Sequence, residues 1–329
     1  MSNINELISK SNIPNFQILK LKSIPKTQNI ILLKTNQKNE ILIEILDFEN
    51  NNIKQIFLDE KLTKIYDFHP IDLVNFHINC DYNGNSNCQI KVNSCGKIIF
   101  KKQFEAEHFA LNFKHILKNY IFREDMVLLD LDNFEEYNIT DFFIDNFDDE
   151  YSFNYLYFEH RYDIFTLPDD NIIGFEIYDK DYISNKIYDI DGIERKFYFI
   201  ILKIISPTNI NIIFSGKIDD CGFNYTINKN FKEIAYRSSL YKSDDNIQIR
   251  QFSLDNFQNA EILTKDKSSK IEYFDERIII FKKDNILEIF DRKIDNSLKF
   301  IEIDEFSSFI FKNSLLFYVK NYQLNFISI

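Results

Sequence analysis

The chain has 329 residues, 45% hydrophobic and 27% charged, with a formal net charge of -12. That apolar content supports a substantial core and excludes wholesale disorder. Six glycines, none at the spacing of a phosphate-cradling loop, disfavour a nucleotide motif, and no run reaches the roughly 18–20 apolar residues of a membrane span.

The first twenty residues are polar, with neither an apolar h-region nor a small-residue cleavage site. An intracellular product, cytoplasmic or nuclear and not secreted, is therefore expected. The first strand signal is Asn15–Leu21, followed by Asn29–Thr35 and Glu40–Phe48, short Ile/Leu-rich runs between Asn/Asp/Lys turns. Next comes a cluster of His69, His77, Cys80, Cys88 and Cys95. His77-x-x-Cys80 has the spacing of half a zinc site, but Cys88 and Cys95 lack the two-to-four-residue knuckle of the other half. The reading preferred is a hairpin with Cys80 and Cys88 on its two arms and Asn83-Gly84 in its turn, as free thiols. No metal or cofactor is expected, and no Ser-His-Asp set or G-x-S-x-G elbow marks a catalytic centre.

After a strand at Lys97–Phe104, Ala106–Ile121 has helical spacing, with Phe109, Phe113, Ile116, Leu117, Tyr120 and Ile121 on one face. A weaker helical stretch covers Glu135–Phe147, so a helical insertion is expected around residues 106–147. The charge concentrates here. From Glu124 to His160 there are twelve carboxylates and no Lys or Arg, which leaves 39 acids against 39 bases elsewhere. The whole imbalance is local. Aromatics interleave with these acids, and Asp130-x-Asp132 reads as two carboxylates on one strand face. Further strands follow at Ile172–Tyr178, Lys196–Ile204, Asn209–Ser215, Arg277–Lys282 and Ile286–Asp291.

An internal repeat ties these elements together. Phe274–Phe290 aligns with Phe311–Ile327 without gaps at an offset of 37, each unit reading strand, tight polar turn, strand. Looser copies are Asn39–Leu58, Asp170–Ile190, Asp245–Leu263 and Asp284–Ile303. An Asp follows an apolar strand end in Leu46-Asp47, Tyr178-Asp179, Leu254-Asp255 and Phe290-Asp291. Their intervals of 132, 76 and 36 fit a period of about 36–44 residues. A turn, a short apolar strand and a closing aromatic-Asp pair resemble the third strand of a WD-repeat β-propeller blade, although Trp-Asp and Gly-His are absent.

That resemblance implies an all-β chain: a single β-propeller of about seven four-stranded blades spanning residues 1–329. Asn15–Leu21 would be the strand that closes the C-terminal blade, with Leu324–Ile329 buried. Proteins of this kind mostly serve as platforms for partners. The function expected is a non-enzymatic interaction scaffold in a hetero-complex, docking a basic protein through residues 124–160. Direct nucleic-acid or membrane binding is not expected. The docking residues would be Asp130, Asp132, Glu135, Glu136, Asp141, Asp145, Asp148, Asp149 and Glu150, with Phe142 and Tyr151 as aromatic anchors. The alternatives are an acidic inhibitor that mimics nucleic acid in an enzyme's basic groove, and a propeller-based hydrolase or metalloenzyme.

Overall fold

The computed structural model describes residues 2–24, 27–103, 115–117, 119–123, 126–147, 165–167, 171–178, 197–218, 222–228, 233–238, 246–253, 256–264, 269–304 and 308–329. These form seven antiparallel sheets, each built from strands consecutive in sequence. The chain divides into two compact units: residues 1–113 with 302–329, and residues 114–301.

The first unit opens with helix α1 (Ser2–Ser11). Sheet one is β1 (Gln17–Ser23), β2 (Asn29–Thr35), β3 (Ile41–Asp47) and β4 (Asn52–Phe57). Sheet two is β5 (Lys64–Pro70), β6 (Asn75–Tyr82), β7 (Asn85–Asn93) and β8 (Ile98–Gln103). The second unit begins with the short strands β9 (His115–Ile116), β10 (Tyr120–Arg123), β11 (Val127–Asp130) and β12 (Glu136–Asn138), followed by helix α2 (Thr140–Phe147). The fourth sheet holds β13 (Phe165–Leu167), β14 (Ile172–Tyr178), β15 (Phe197–Ser206) and β16 (Asn209–Ile218). The fifth holds β17 (Gly222–Ile227), β18 (Glu233–Ser238), β19 (Asn246–Ser253) and β20 (Asn256–Thr264). The sixth is β21 (Lys270–Phe274), β22 (Ile278–Lys283), β23 (Ile286–Asp291) and β24 (Asn296–Glu302). The last, back in the first unit, has three strands: β25 (Phe309–Lys312), β26 (Leu315–Lys320) and β27 (Gln323–Ser328).

The apolar runs show why these sheets stack. Ile30–Leu33 of β2 are fully buried, and their side chains alternate between two cores. Ile31 and Leu33 join Phe68, Phe76, Ile78 and Ile90 of sheet two. Ile30 and Leu32 join Phe317, Val319 and Leu324 of the last sheet, with Ile8 of α1. A strand buried on both faces needs a continuous apolar run instead of an alternating one. The second unit repeats the device: Phe122 and Leu128 share a core with Ile173, Ile200 and Leu202, and Ala235 and Ile249 share one with Ile279 and Phe281. First strands also pack on first strands, β1 on β5 and β25, and β13 on β9 and β17. Consecutive four-stranded meanders stacked face to face through their inner strands are the blades of a β-propeller. The fold class is that one.

Few glycines are needed because Asn and Asp take over the turns. Among the described residues thirteen non-glycine positions have positive φ, and nine are Asn or Asp, whose short side chains tolerate that region. Of the four aspartates that recur after a strand end, Asp47 and Asp291 are turn caps, and Asp179 and Asp255 lie outside the described residues. Asp47 accepts the N–H groups of Glu49 and Asn50, and Asp291 accepts that of Lys293.

Two expectations are corrected. The helix expected over Ala106–Ile121 is a β-hairpin where the chain is described, with Ile121 paired to Ile116 and Leu117 N–H donating to Tyr120 C=O at 2.7 Å. A short apolar run fits either period, and pairing of β10 with β11 decides for strand. Residues 104–114, including Phe109 and Phe113, lie outside the described residues. Glu135–Phe147 is helical only from Thr140, with Glu136–Asn138 as strand. The second correction concerns the N-terminal strand, which heads sheet one by pairing β1 with β2 and does not complete the last sheet. The N-terminal segment reaches β27 differently. The Asn12 side chain accepts from Leu324 N–H at 3.0 Å and donates to Leu324 C=O at 3.2 Å, as a neighbouring strand would. Of the last residues only Leu324 is buried; Asn325–Ile327 are half-buried.

Candidate functional site

The acidic stretch enters the described structure at Met126, whose positive φ turns β10 into β11. Buried Leu128 and Leu129 hold β11 in place, and the carboxylates emerge where the strand ends. Asp130 and Asp132 are not two residues of one strand face, as the sequence suggested. Asp130 closes the strand and its Oδ1 accepts the Asp132 N–H at 2.6 Å, forming a capped turn. Phe134 N–H donates to Asp130 C=O, and Asp130 N–H to Glu135 C=O, which seals the loop. Asp132, Glu135 and Glu136 are exposed and Asp130 is half-buried.

The helix that follows carries Asp141 and Asp145, both exposed and one turn apart on the same face. Asn138 Oδ1 accepts Thr140 N–H at its start, the cap that a helix N-terminus requires. Asp141 in the first turn complements the helix dipole, whereas Asp145 in the last turn opposes it. The aromatics whose side chains are described are mostly structural. Phe134 and Phe143 are buried, and Phe142 packs half-buried against the same core, edge-on to Phe143. Tyr137 donates its hydroxyl to Glu135 at 2.6 Å. That bond raises the Tyr137 pKa, and burial followed by the charge of Asp130 raises that of Tyr120. The structure thus brings Asp130, Asp132, Glu135, Glu136, Asp141, Asp145 and Phe142 onto one sheet and its flanking helix. Asp148, Asp149, Glu150 and Tyr151 lie outside the described residues.

The His/Cys cluster spreads over sheet two, with His69 on β5 opposite His77 on β6, and Cys95 in the turn after β7. Cys80 pairs with Cys88 across β6 and β7, with Asn83 and Gly84 at positive φ in the turn between them. Both thiols are free and buried, and Cys95 is exposed. Burial pushes the Cys80 thiol up to about 12, leaving it protonated at neutral pH and unlike a ligand or nucleophile. Gln89 Nε2 lies 3.2 Å from His77 Nδ1. Among the described residues no three His, Cys, Asp or Glu side chains gather as a metal would require.

One feature escaped the sequence reading. Lys34 and Glu44, buried in β2 and β3, form an ion pair. Lys34 also donates to the Ser11 carbonyl and, at 3.0 Å, to Ser11 Oγ, while Ser11 Oγ donates to Glu44 and Gln55 Nε2 donates to Glu44 Oε1 at 2.9 Å. Its sequence signal is a single charge inside each of two apolar strands, IILLK and ILIEIL. The network fastens the C-terminal end of α1 to sheet one, beside a cavity.

No protein-family profile matches the chain, and no curated protein matches it. Solved structures do. The Cps50 (Swd1) β-propeller domain of Myceliophteria thermophila is 11% identical, with 95% of this chain and 97% of that one covered and a TM-score of 0.49. BamB from Moraxella catarrhalis is 7% identical over 90% of this chain and 80% of that one, with a TM-score of 0.42. Hsv2 of Kluyveromyces lactis is 18% identical over 40% of this chain, with a TM-score of 0.32, and the match spans 38% of Hsv2. The seven meanders themselves define the class here, a propeller-type chain without the Trp-Asp signature. No helix among the described residues is long and apolar enough to cross a membrane.

Proposed function

We propose that the chain is a non-enzymatic scaffold, acting inside the cell as one subunit of a hetero-complex. It docks a basic protein surface through the β11–α2 face. The observation carrying this reading is the set of exposed carboxylates at Asp132, Glu135, Glu136, Asp141 and Asp145, in a stretch without one Lys or Arg. Like charges spaced i, i+4 on a helix cost roughly 0.2–0.5 kcal/mol, and an acid in the last turn adds a similar amount. The Asp141–Asp145 pair incurs the first cost and Asp145 alone the second, with no basic residue in the last turn to offset it, as on a surface shaped for a cationic partner. Uniform charge steers encounter, and the half-buried Phe142 ring adds contact area beside it.

The test is charge reversal at Asp141, Asp145, Asp148 and Asp149 to Lys, followed by partner capture from the native source. Capture lost while the melting temperature holds supports docking here; capture unchanged removes this face from the account. Competition by heparin or RNA for the same partner would shift the reading to an inhibitor occupying a nucleic-acid groove.

A further inference from the structure

The cavity beside the Lys34 network has a volume of about 380 Å³ and lies wholly within the first unit. Its walls come from the segment after α1, from Lys34 and Gln37, and from the β26–β27 turn. The size suits a small ligand, and the chemistry of the wall selects which. Lys34 contributes no free cation. Its ammonium donates to Ser11 C=O, Ser11 Oγ and Glu44, which matches its three N–H groups, and Glu44 neutralises its charge. An anion therefore finds no free ammonium N–H and no net positive charge at Lys34.

The remaining polar lining is carboxamide: Asn12 is engaged with Leu324, while Asn15, Gln17, Gln37, Asn321 and Gln323 are all exposed. Each carboxamide offers a donor and an acceptor together, matching a hydroxyl, which is also both. The wall also carries an aromatic ring held at a conformational cost. Tyr322 has φ 60°, a region a bulky residue seldom occupies, and the residue is 53% exposed. The strain is fastened from both sides. Asp304 accepts the N–H groups of Asn321 and Tyr322 at 2.8 and 2.9 Å, and Ile18 N–H donates to Tyr322 C=O at 3.3 Å. Glycine or asparagine would fill that turn position with less strain, yet an exposed tyrosine stands there.

We propose that this cavity binds a neutral saccharide, with the Tyr322 ring against the C–H face of one sugar residue and the carboxamides on its hydroxyls. Amphipathic rings supply contact area at low entropic cost, and uncharged donor–acceptor pairs read hydroxyls without requiring a counter-ion. A nucleotide or phosphate ligand would need the cation that Glu44 and Ser11 already occupy.

The experiment is saturation-transfer NMR on the full chain with chitotriose, maltotriose and lactose as separate probes, backed by a neutral glycan array. Inorganic pyrophosphate and triglycine serve as the anion and peptide arms. Saturable binding of a saccharide is expected, weakened at least about tenfold in Tyr322→Gly and retained in Tyr322→Phe. Tyr322→Gly separates recognition from folding, because glycine suits φ 60° and should leave the melting temperature equal or higher. Three results would overturn the proposal: no saccharide binds, binding survives Tyr322→Gly, or pyrophosphate or triglycine binds in the sugars' place.

Discussion

Replacing Glu44 by Gln tests the buried network that anchors α1. The side chain keeps its shape, but the Lys34 ammonium loses its counter-charge while only 1% exposed. Removing one partner of a buried pair costs about 3–5 kcal/mol, because the other charge remains in a poorly solvating interior. Substituting both, Lys34→Met with Glu44→Leu, should recover most of that loss, since apolar replacements of similar volume are near neutral. Burial pulls the Lys34 pKa below its ordinary value even with Glu44 opposing it, so Glu44→Gln should depress it further. The unfolded chain then binds more protons than the folded one between the lowered pKa and about 10.4, and stability rises with pH across that window. The deficit of Glu44→Gln against the natural chain should narrow as pH rises towards the ordinary Lys value of about 10.4. Urea titrations followed by tyrosine fluorescence, convenient in a chain without Trp, measure it. A deficit below about 1 kcal/mol, or one that widens with pH, would refute the argument.

Other expectations follow from single contacts. Asn12→Ala removes both bonds to Leu324 and should cost about 1–2 kcal/mol, with faster hydrogen exchange at the Leu324 amide. Gly96 has φ 81°, and an added Cβ would meet Phe57 O at 1.8 Å, so Gly96→Ala should lose about 2 kcal/mol or more in urea titrations. Gly84, with φ 78° and open space around it, should lose only about 1 kcal/mol on the same change. Burial pushes the Asp291 carboxyl upward, and Arg277 with the Lys293 N–H more than offsets this, holding it below the usual range. Its stabilisation is present above the ordinary Asp pKa of about 3.9 and disappears as pH falls through the lower folded value. Asp291→Asn should therefore flatten the acid limb of the stability profile, and an unchanged limb would contradict that assignment.

Strands with continuous apolar runs were legible down to their bounds: Asn29–Thr35, Ile172–Tyr178 and Ile286–Asp291 are strands over those residues. Such runs fit a strand buried on both faces, which Asn29–Thr35 shows from Asn29 to Lys34. Ile116–Ile121 was misread because a few apolar residues satisfy two periods, and the deciding partner, β11, is distant in kind from anything local periodicity reports. The recurring Asp was legible as a repeat marker but not as a turn cap, since its N–H partners are defined only by the folded turn. For the site, charge was readable and aromatic roles were not. In sequence Phe134, Phe142 and Phe143 interleave alike with the acids, whereas in the structure Phe134 and Phe143 are core residues and Phe142 is half-buried. Lys34 and Glu44 went unnoticed because each looks like an isolated charge until β2 and β3 pair.

The central claim is that the acidic face receives a basic partner. Hydrogen–deuterium exchange of the full chain, alone and with its captured partner, addresses it most directly. The account predicts new protection over Asp130–Phe147, lost again when Asp141 and Asp145 are reversed to Lys. Protection confined to other sheets, with Asp130–Phe147 unchanged on binding, would contradict it.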